Sequence, residues 1–148
     1  MRTTLRLGVE LVLALVLVAT AVWLITRFVA MPWAVAGHSM SPTLEHGDRV
    51  IVDLWSYRRG SPRSGEIALF MGPRGVAMVK RVVDLPPGER VRSESFGTSS
   101  TLRGGFWVLG DNVSASGDSR RFGAVPRDRF RGRLWWRYWP LSRAGPIR

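Results

Sequence analysis

The chain has 148 residues, 22 of them basic and 11 acidic, giving a net charge of +11. That length favours one compact domain over two with separate cores, and 45% hydrophobic with 22% charged residues excludes a disordered polar tail. No cysteine is present, which excludes disulfides, thiolate catalysis and cysteine-bound zinc. His38 and His46 are the only histidines, too few for a histidine-rich metal site, so no metal is expected.

Residues 1–30 read as a cytoplasmic N-terminus and a transmembrane anchor. After Arg2 and Arg6, an apolar run from Leu7 to Thr26 is broken only by Glu10. Such a run of 20 residues, rising 1.5 Å each, reaches about 30 Å, the thickness of a hydrocarbon core. Glu10 lies near the start, within reach of the interface. The leading arginines favour a cytoplasmic N-terminus, which places residues 31–148 on the extracytoplasmic side of the cell membrane as a single-pass protein. A cleaved signal peptide has a shorter apolar core, and the Ala34-Val35-Ala36 triplet lies well past this one, so an uncleaved anchor is expected.

Beyond Pro32 short apolar runs alternate with turn signals. Runs at 49–55, 66–71, 76–84, 89–93, 106–109 and 133–138 are separated by Gly- and Pro-rich stretches. This predicts a mainly β domain of antiparallel strands following one N-terminal helix. Residues 96–105, rich in Ser, Thr and Gly, predict an exposed loop.

The basic residues are 21 arginines and one lysine, Lys80. Arginine cannot act as a base near neutrality, whereas a lysine amine can once deprotonated. Lys80 alternates with Met78 and Val82 in an apolar run, where burial lowers an amine pKa and makes it a general base. The simpler reading is a side chain snorkelling to water along an apolar strand. Ser39, in Gly37-His38-Ser39-Met40-Ser41-Pro42-Thr43-Leu44, sits in a tight turn suited to an exposed nucleophile, which needs a proton acceptor. His38 is adjacent and so points away in an extended chain, and His46 reads as a solvated turn residue. A Ser/His/Asp triad is therefore poorly supported.

Three segments in order resemble those of bacterial type I signal peptidases. They are the Gly37–Leu44 turn after a membrane anchor, Val79-Lys80-Arg81-Val82-Val83-Asp84-Leu85-Pro86-Pro87-Gly88, and Gly110-Asp111-Asn112 followed by Ser116-Gly117-Asp118-Ser119-Arg120. The Gly65–Phe70 stretch and Arg137-Tyr138-Trp139-Pro140-Leu141 fit the same pattern. The resemblance implies a serine endopeptidase with Ser39 as nucleophile and Lys80 as general base. Ser116 would orient the lysine amine, Asp118 and Arg120 would support that loop, and Met40 would shape the substrate groove. The implied reaction is removal of signal peptides from exported preproteins after small residues, through an acyl-enzyme, with no cofactor.

Gly37 departs from relatives that carry a serine there for the oxyanion hole. The short spacing from Lys80 to Gly110 leaves no room for the extra β-subdomain of larger members. Asp84 and Pro87 also depart from the usual Leu-Pro-Gly turn, away from the proposed chemistry. The expected partners are preproteins and the lipid bilayer, with Trp33, Trp135, Trp136 and Trp139 suited to its interface and nearby arginines to anionic phospholipid. A dedicated maturation peptidase of a conjugation or pilus system is an alternative with the same dyad. Self-cleaving Ser/Lys repressors carry a DNA-binding domain where this chain has its apolar segment. A basic nucleic-acid-binding membrane protein is a third reading, weakened because the arginines are dispersed. No nucleic acid is expected.

Overall fold

The computed structural model describes residues 2–84 and 105–148, with side chains from residue 6 onward. The predicted strand at 89–93 and nearly all of the predicted loop at 96–105 lie outside the described residues.

Helix α1 (Arg2–Phe28) contains a stretch, Arg6–Phe28, of mean hydropathy 2.5 that is not buried against the rest of the protein. Leucines and valines are exposed all round it, which suits hydrocarbon rather than an aqueous surface. The Thr20 and Thr26 hydroxyls donate back to the Val16 and Val22 carbonyls at 2.8 and 2.9 Å. These two hydroxyls are thereby satisfied within the helix, as a bilayer requires.

The chain then forms a seven-stranded antiparallel sheet. Its strands are β1 (Ala30–Ala34), β2 (Arg49–Asp53), β3 (Ile67–Met71), β4 (Ala77–Val83), β5 (Trp107–Leu109), β6 (Phe130–Trp139) and β7 (Gly145–Pro146). They lie in the order β1-β2-β6-β3-β4-β5, with β7 on β6. Two short helices, α2 (Trp55–Arg59) and α3 (Ser119–Phe122), flank the sheet.

β3 is central because both its faces are apolar, the pattern of a strand covered on both sides. Ile67 and Leu69 join Val35, Met40, Leu44, Val50, Val52 and Leu134 in one core. Ala68 and Phe70 join Tyr57, Val82, Val108, Val125 and Phe130 in a second.

The predicted run at 49–55 ends early because Asp53 turns the chain into α2. Its Oδ1 accepts the N–H groups of Trp55 and Ser56, both at 3.0 Å. The run at 133–138 begins three residues sooner, at Phe130. Gly132 is a close-approach position inside that strand rather than a breaker: a Cβ there would lie 2.5 Å from the Asp53 carbonyl oxygen. β1 is an unanticipated strand, and its Pro32 is tolerated because β1 lies at the sheet edge.

Candidate active site

Between β1 and β2 the chain from Gly37 to Leu44 folds into successive turns. Ser41 N–H donates to the His38 carbonyl at 3.2 Å, and Leu44 N–H to the Met40 carbonyl at 2.9 Å. Met40 and Leu44 are buried in the first core and plug the turn into the domain. Gly37 has φ +85°, which a side chain at this position would strain. A serine at this position would be strained in the backbone seen here. The far side of the turn is pinned by the C-terminal segment. Arg137 donates to the Thr43 carbonyl at 2.9 Å, and Arg137 and Arg143 both pair with buried Asp48, at 3.2 and 3.4 Å.

Lys80 lies on β4 opposite the fully buried Ala68 of β3. Only 4% of it is exposed, and its Nζ lies 2.5 Å from Ser39 Oγ. Burial pushes its pKa down, against the opposing attraction of Asp118 and Asp111. The ammonium donates to the serine oxygen; a neutral amine at the same distance is able to accept a hydroxyl proton.

Ser116, Asp118 and Arg120 form one cluster beside this pair. Asp118 is fully buried and accepts from Arg120 Nε at 2.8 Å, Arg120 Nη2 at 2.5 Å, Gly110 N–H at 3.0 Å and the Ser116 hydroxyl at 2.7 Å. Desolvation raises the carboxyl pKa, but these hydrogen bonds outweigh it and hold the group far below its usual range. The Ser116 hydroxyl donates to Asp118, and that bond leaves its oxygen lone pairs available to an amine.

Several contacts were not assigned from sequence. Asn112 N–H donates to the Ser39 carbonyl at 3.0 Å. Asp111 receives Arg81 through Nε at 2.9 Å and Nη2 at 2.7 Å, and the Thr43 hydroxyl at 2.6 Å. The Gly110-Asp111-Asn112 segment therefore fastens the serine turn to the strand that carries the lysine. Its presence in the motif was the available signal; its partners lie 30 and 68 residues away in sequence.

The histidines stand apart from the serine–lysine contact. His46, read as a solvated turn residue, is exposed in a turn, where its Nδ1 also accepts the Gly37 N–H at 3.1 Å. His38 faces Glu45, with Nδ1 to Oε2 at 3.8 Å.

Ser39 and Lys80 open into a cleft of about 280 Å³ between residues 33–37 and residues 77–80, with Met40, Ala115 and Gly117 also lining it. Among the described residues β4 pairs with β5 only at Arg81, Val82 and Val83, so the 77–79 stretch has a free edge on that side.

A serine hydroxyl in contact with a buried lysine, at the lip of an apolar cleft, is an arrangement suited to peptide-bond chemistry without histidine. The sequence profile of the family described as "Signal peptidase, peptidase S26" matches residues 8–99 and 92–139, and the chain belongs to that family. It is 32% identical over 172 aligned residues to the "Probable signal peptidase I-2" of Synechocystis sp., covering 97% of this chain and 77% of that protein. It is 26% identical over 173 residues to "Signal peptidase IB" of Staphylococcus aureus, covering 90% of each.

Proposed function

We propose that this protein is a membrane-anchored serine endopeptidase that removes signal peptides from exported preproteins, cutting after small residues of the Ala-x-Ala kind. The 2.5 Å contact between Ser39 Oγ and the buried Lys80 amine carries the reading. The signal peptidases it resembles support the substrate class.

Neutral Lys80 takes the Ser39 proton as the oxygen attacks the scissile carbonyl. Collapse of the tetrahedral intermediate breaks the C–N bond, and the lysine returns the proton to the leaving amine. The same lysine then deprotonates a water that hydrolyses the acyl-serine, releasing the carboxylate and restoring both groups. Ser116 orients the amine, while Asp118 and Arg120 hold Ser116. The Ser39 N–H, which has no hydrogen-bond partner among the described residues, serves as an oxyanion donor. The Gly37 N–H does not, because it is bound to His46.

An extended substrate lies between the two walls of the cleft and adds to their free edges. Val35 bonds inward to Asp48 and Gly47, so by alternation the backbone groups of Ala34 and Ala36 face the substrate. Met40 lines the groove beside Ser39. Residues 1–30 anchor the protein and residues 31–148 work on the extracytoplasmic side. There the exposed Trp135, Trp136 and Trp139 meet the bilayer interface.

Cleavage of an Ala-x-Ala preprotein in detergent by the full-length chain tests the reading, since absence of product from folded protein would overturn it. Two expected results follow from the geometry. The rate rises with pH as Lys80 loses its proton, with a midpoint below the ordinary lysine value of about 10.4 because burial lowers the pKa. A pH–rate profile checks this, and a midpoint at or above that value would contradict it. Gly110→Ala places a Cβ 2.2 Å from Ser116 Oγ and 2.5 Å from the Ser39 carbonyl. Displacing these groups by about 1 Å is expected to cost on the order of 100-fold in rate, read from initial velocities on the same preprotein.

A further inference from the structure

Helix α2 packs on β6 and reaches the end of α1 through Arg58. Asp53 caps its start, accepting the Trp55 and Ser56 N–H groups and the Ser56 hydroxyl. Tyr57 is buried in the second core and donates to Glu66 at 2.9 Å. Arg127 donates to the Tyr57 and Gly60 carbonyls and so clamps its end. Leu54 N–H donates to the Val29 carbonyl at 2.8 Å, tying the platform to the residue after α1. Arg58 reaches the Arg27 carbonyl at 3.4 Å.

What this platform presents outward is aromatic and cationic. The Arg58 guanidinium lies 4.9 Å from the Phe28 ring centre and that of Arg27 lies 5.8 Å from it, while Arg59 stacks on Trp55 at 4.2 Å. Trp55 and Phe28 are exposed. Elsewhere Arg81, Arg120, Arg133, Arg137 and Arg143 are each within 4.0 Å of a carboxylate. Among the described residues Arg27, Arg58 and Arg59 have no such partner, a property shared with Arg49, Arg63, Arg74, Arg121, Arg127 and Arg131; what sets the three apart is their place around the rings at the end of α1. Stacking on a ring uses the guanidinium face and leaves its N–H edge open to an oxyanion.

Depth selects the occupant. If α1 spans the bilayer, its apolar stretch ends at Phe28, at the interface. Arg58 touches Phe28 and Arg27, so α2 lies at headgroup level. We propose that α2 and the last turn of α1 form a docking surface for anionic phospholipid headgroups in the domain-side leaflet, with Arg58 and Arg59 on phosphate and Trp55 at the interface. This rests on the membrane-anchor reading. Through the ties of α2 to the sheet it fixes the height of the cleft above the bilayer. It also gives a role to basic residues that follow the apolar run, where charge asymmetry alone does not call for them.

The test uses the full chain in phosphatidylcholine vesicles with and without phosphatidylglycerol. Because the protein has no cysteine, Ser61→Cys admits a single spin label just beyond α2. The label is expected to become immobilised and shielded from an aqueous relaxant as phosphatidylglycerol increases. In Arg58→Gln/Arg59→Gln this response is expected to need roughly 30-fold more anionic lipid or to disappear, at about 1 kcal/mol per arginine. Single Arg59→Gln is expected to lie between, and serves if the double variant does not fold. Cleavage of a soluble peptide in detergent is expected to match the parent protein in both. A label that responds equally to both lipids, or a glutamine variant that follows the parent, overturns the proposal. Failure of the anchor reading is separate, because the chain would then not float with vesicles of either composition.

Discussion

Ser39→Ala is expected to reduce preprotein cleavage by roughly four to six orders of magnitude, as loss of a nucleophile does in other serine peptidases. The fold is expected to survive, because the Ser39 turn is held by backbone and by other side chains. Met40 and Leu44 plug it into the core, Asn112 binds the Ser39 carbonyl, and Arg137 binds that of Thr43. The complementary change, Lys80→Met, removes the base while keeping an unbranched chain on an apolar strand. It is expected to be equally inactive yet no less stable, because a desolvated amine is replaced by a thioether in a site only 4% exposed. Thermal unfolding alongside initial rates separates these effects; a Lys80→Met variant that unfolds markedly earlier would show that the lysine is structural.

Asp118→Ala is expected to be the most destabilising change near the site. The carboxylate is fully buried and serves the Gly110 N–H and the Ser116 hydroxyl together with Arg120. Removing it leaves the first two as buried donors without an acceptor, at about 1–3 kcal/mol each. Activity is expected to fall with stability, since Ser116 and Gly110 lose their shared support. Asp118→Asn keeps the size and one acceptor oxygen and is expected to lie between. The pKa of Asp118 is held down in the folded protein, chiefly by Arg120, Gly110 and Ser116 against desolvation. Its contribution is therefore fully present above the unfolded carboxyl value of about 3.9 and is lost progressively as pH falls from there through the depressed folded value. Denaturant midpoints of parent and Asp118→Ala at neutral pH and near pH 3 check this, with the difference between them shrinking in acid.

The apolar helix was legible because a run of that length and purity has few other readings. The central strands were legible for a similar reason: the residues of β3 and β4 are apolar in short bounded runs. β1 was not, since Pro32 and small alanines carry no strand signal and only pairing with β2 makes them one. Ser39 and Lys80 drew notice from local sequence, one in a Gly/Pro turn and the other a lone lysine among valines, but only the resemblance to signal peptidases paired them. The groups that bring them together could not be singled out. Asp111 joins Arg81 and Thr43 across distant segments, and residues at such separations leave no periodic trace. His46 was legible as an exposed turn residue, but its bond to the Gly37 N–H was not, because a backbone N–H is supplied by any residue type.

In the proposed mechanism Lys80, and neither histidine, takes the serine proton. This step is tested most directly by comparing Lys80→Arg with His38→Ala/His46→Asn on one preprotein. Arginine keeps the charge but cannot deprotonate near neutrality, while asparagine at position 46 retains an acceptor for the Gly37 N–H without being a base. The dyad predicts no product from Lys80→Arg and turnover within about tenfold of the parent from the histidine variant. Cleavage by folded Lys80→Arg, or its loss from a folded histidine variant, would contradict it.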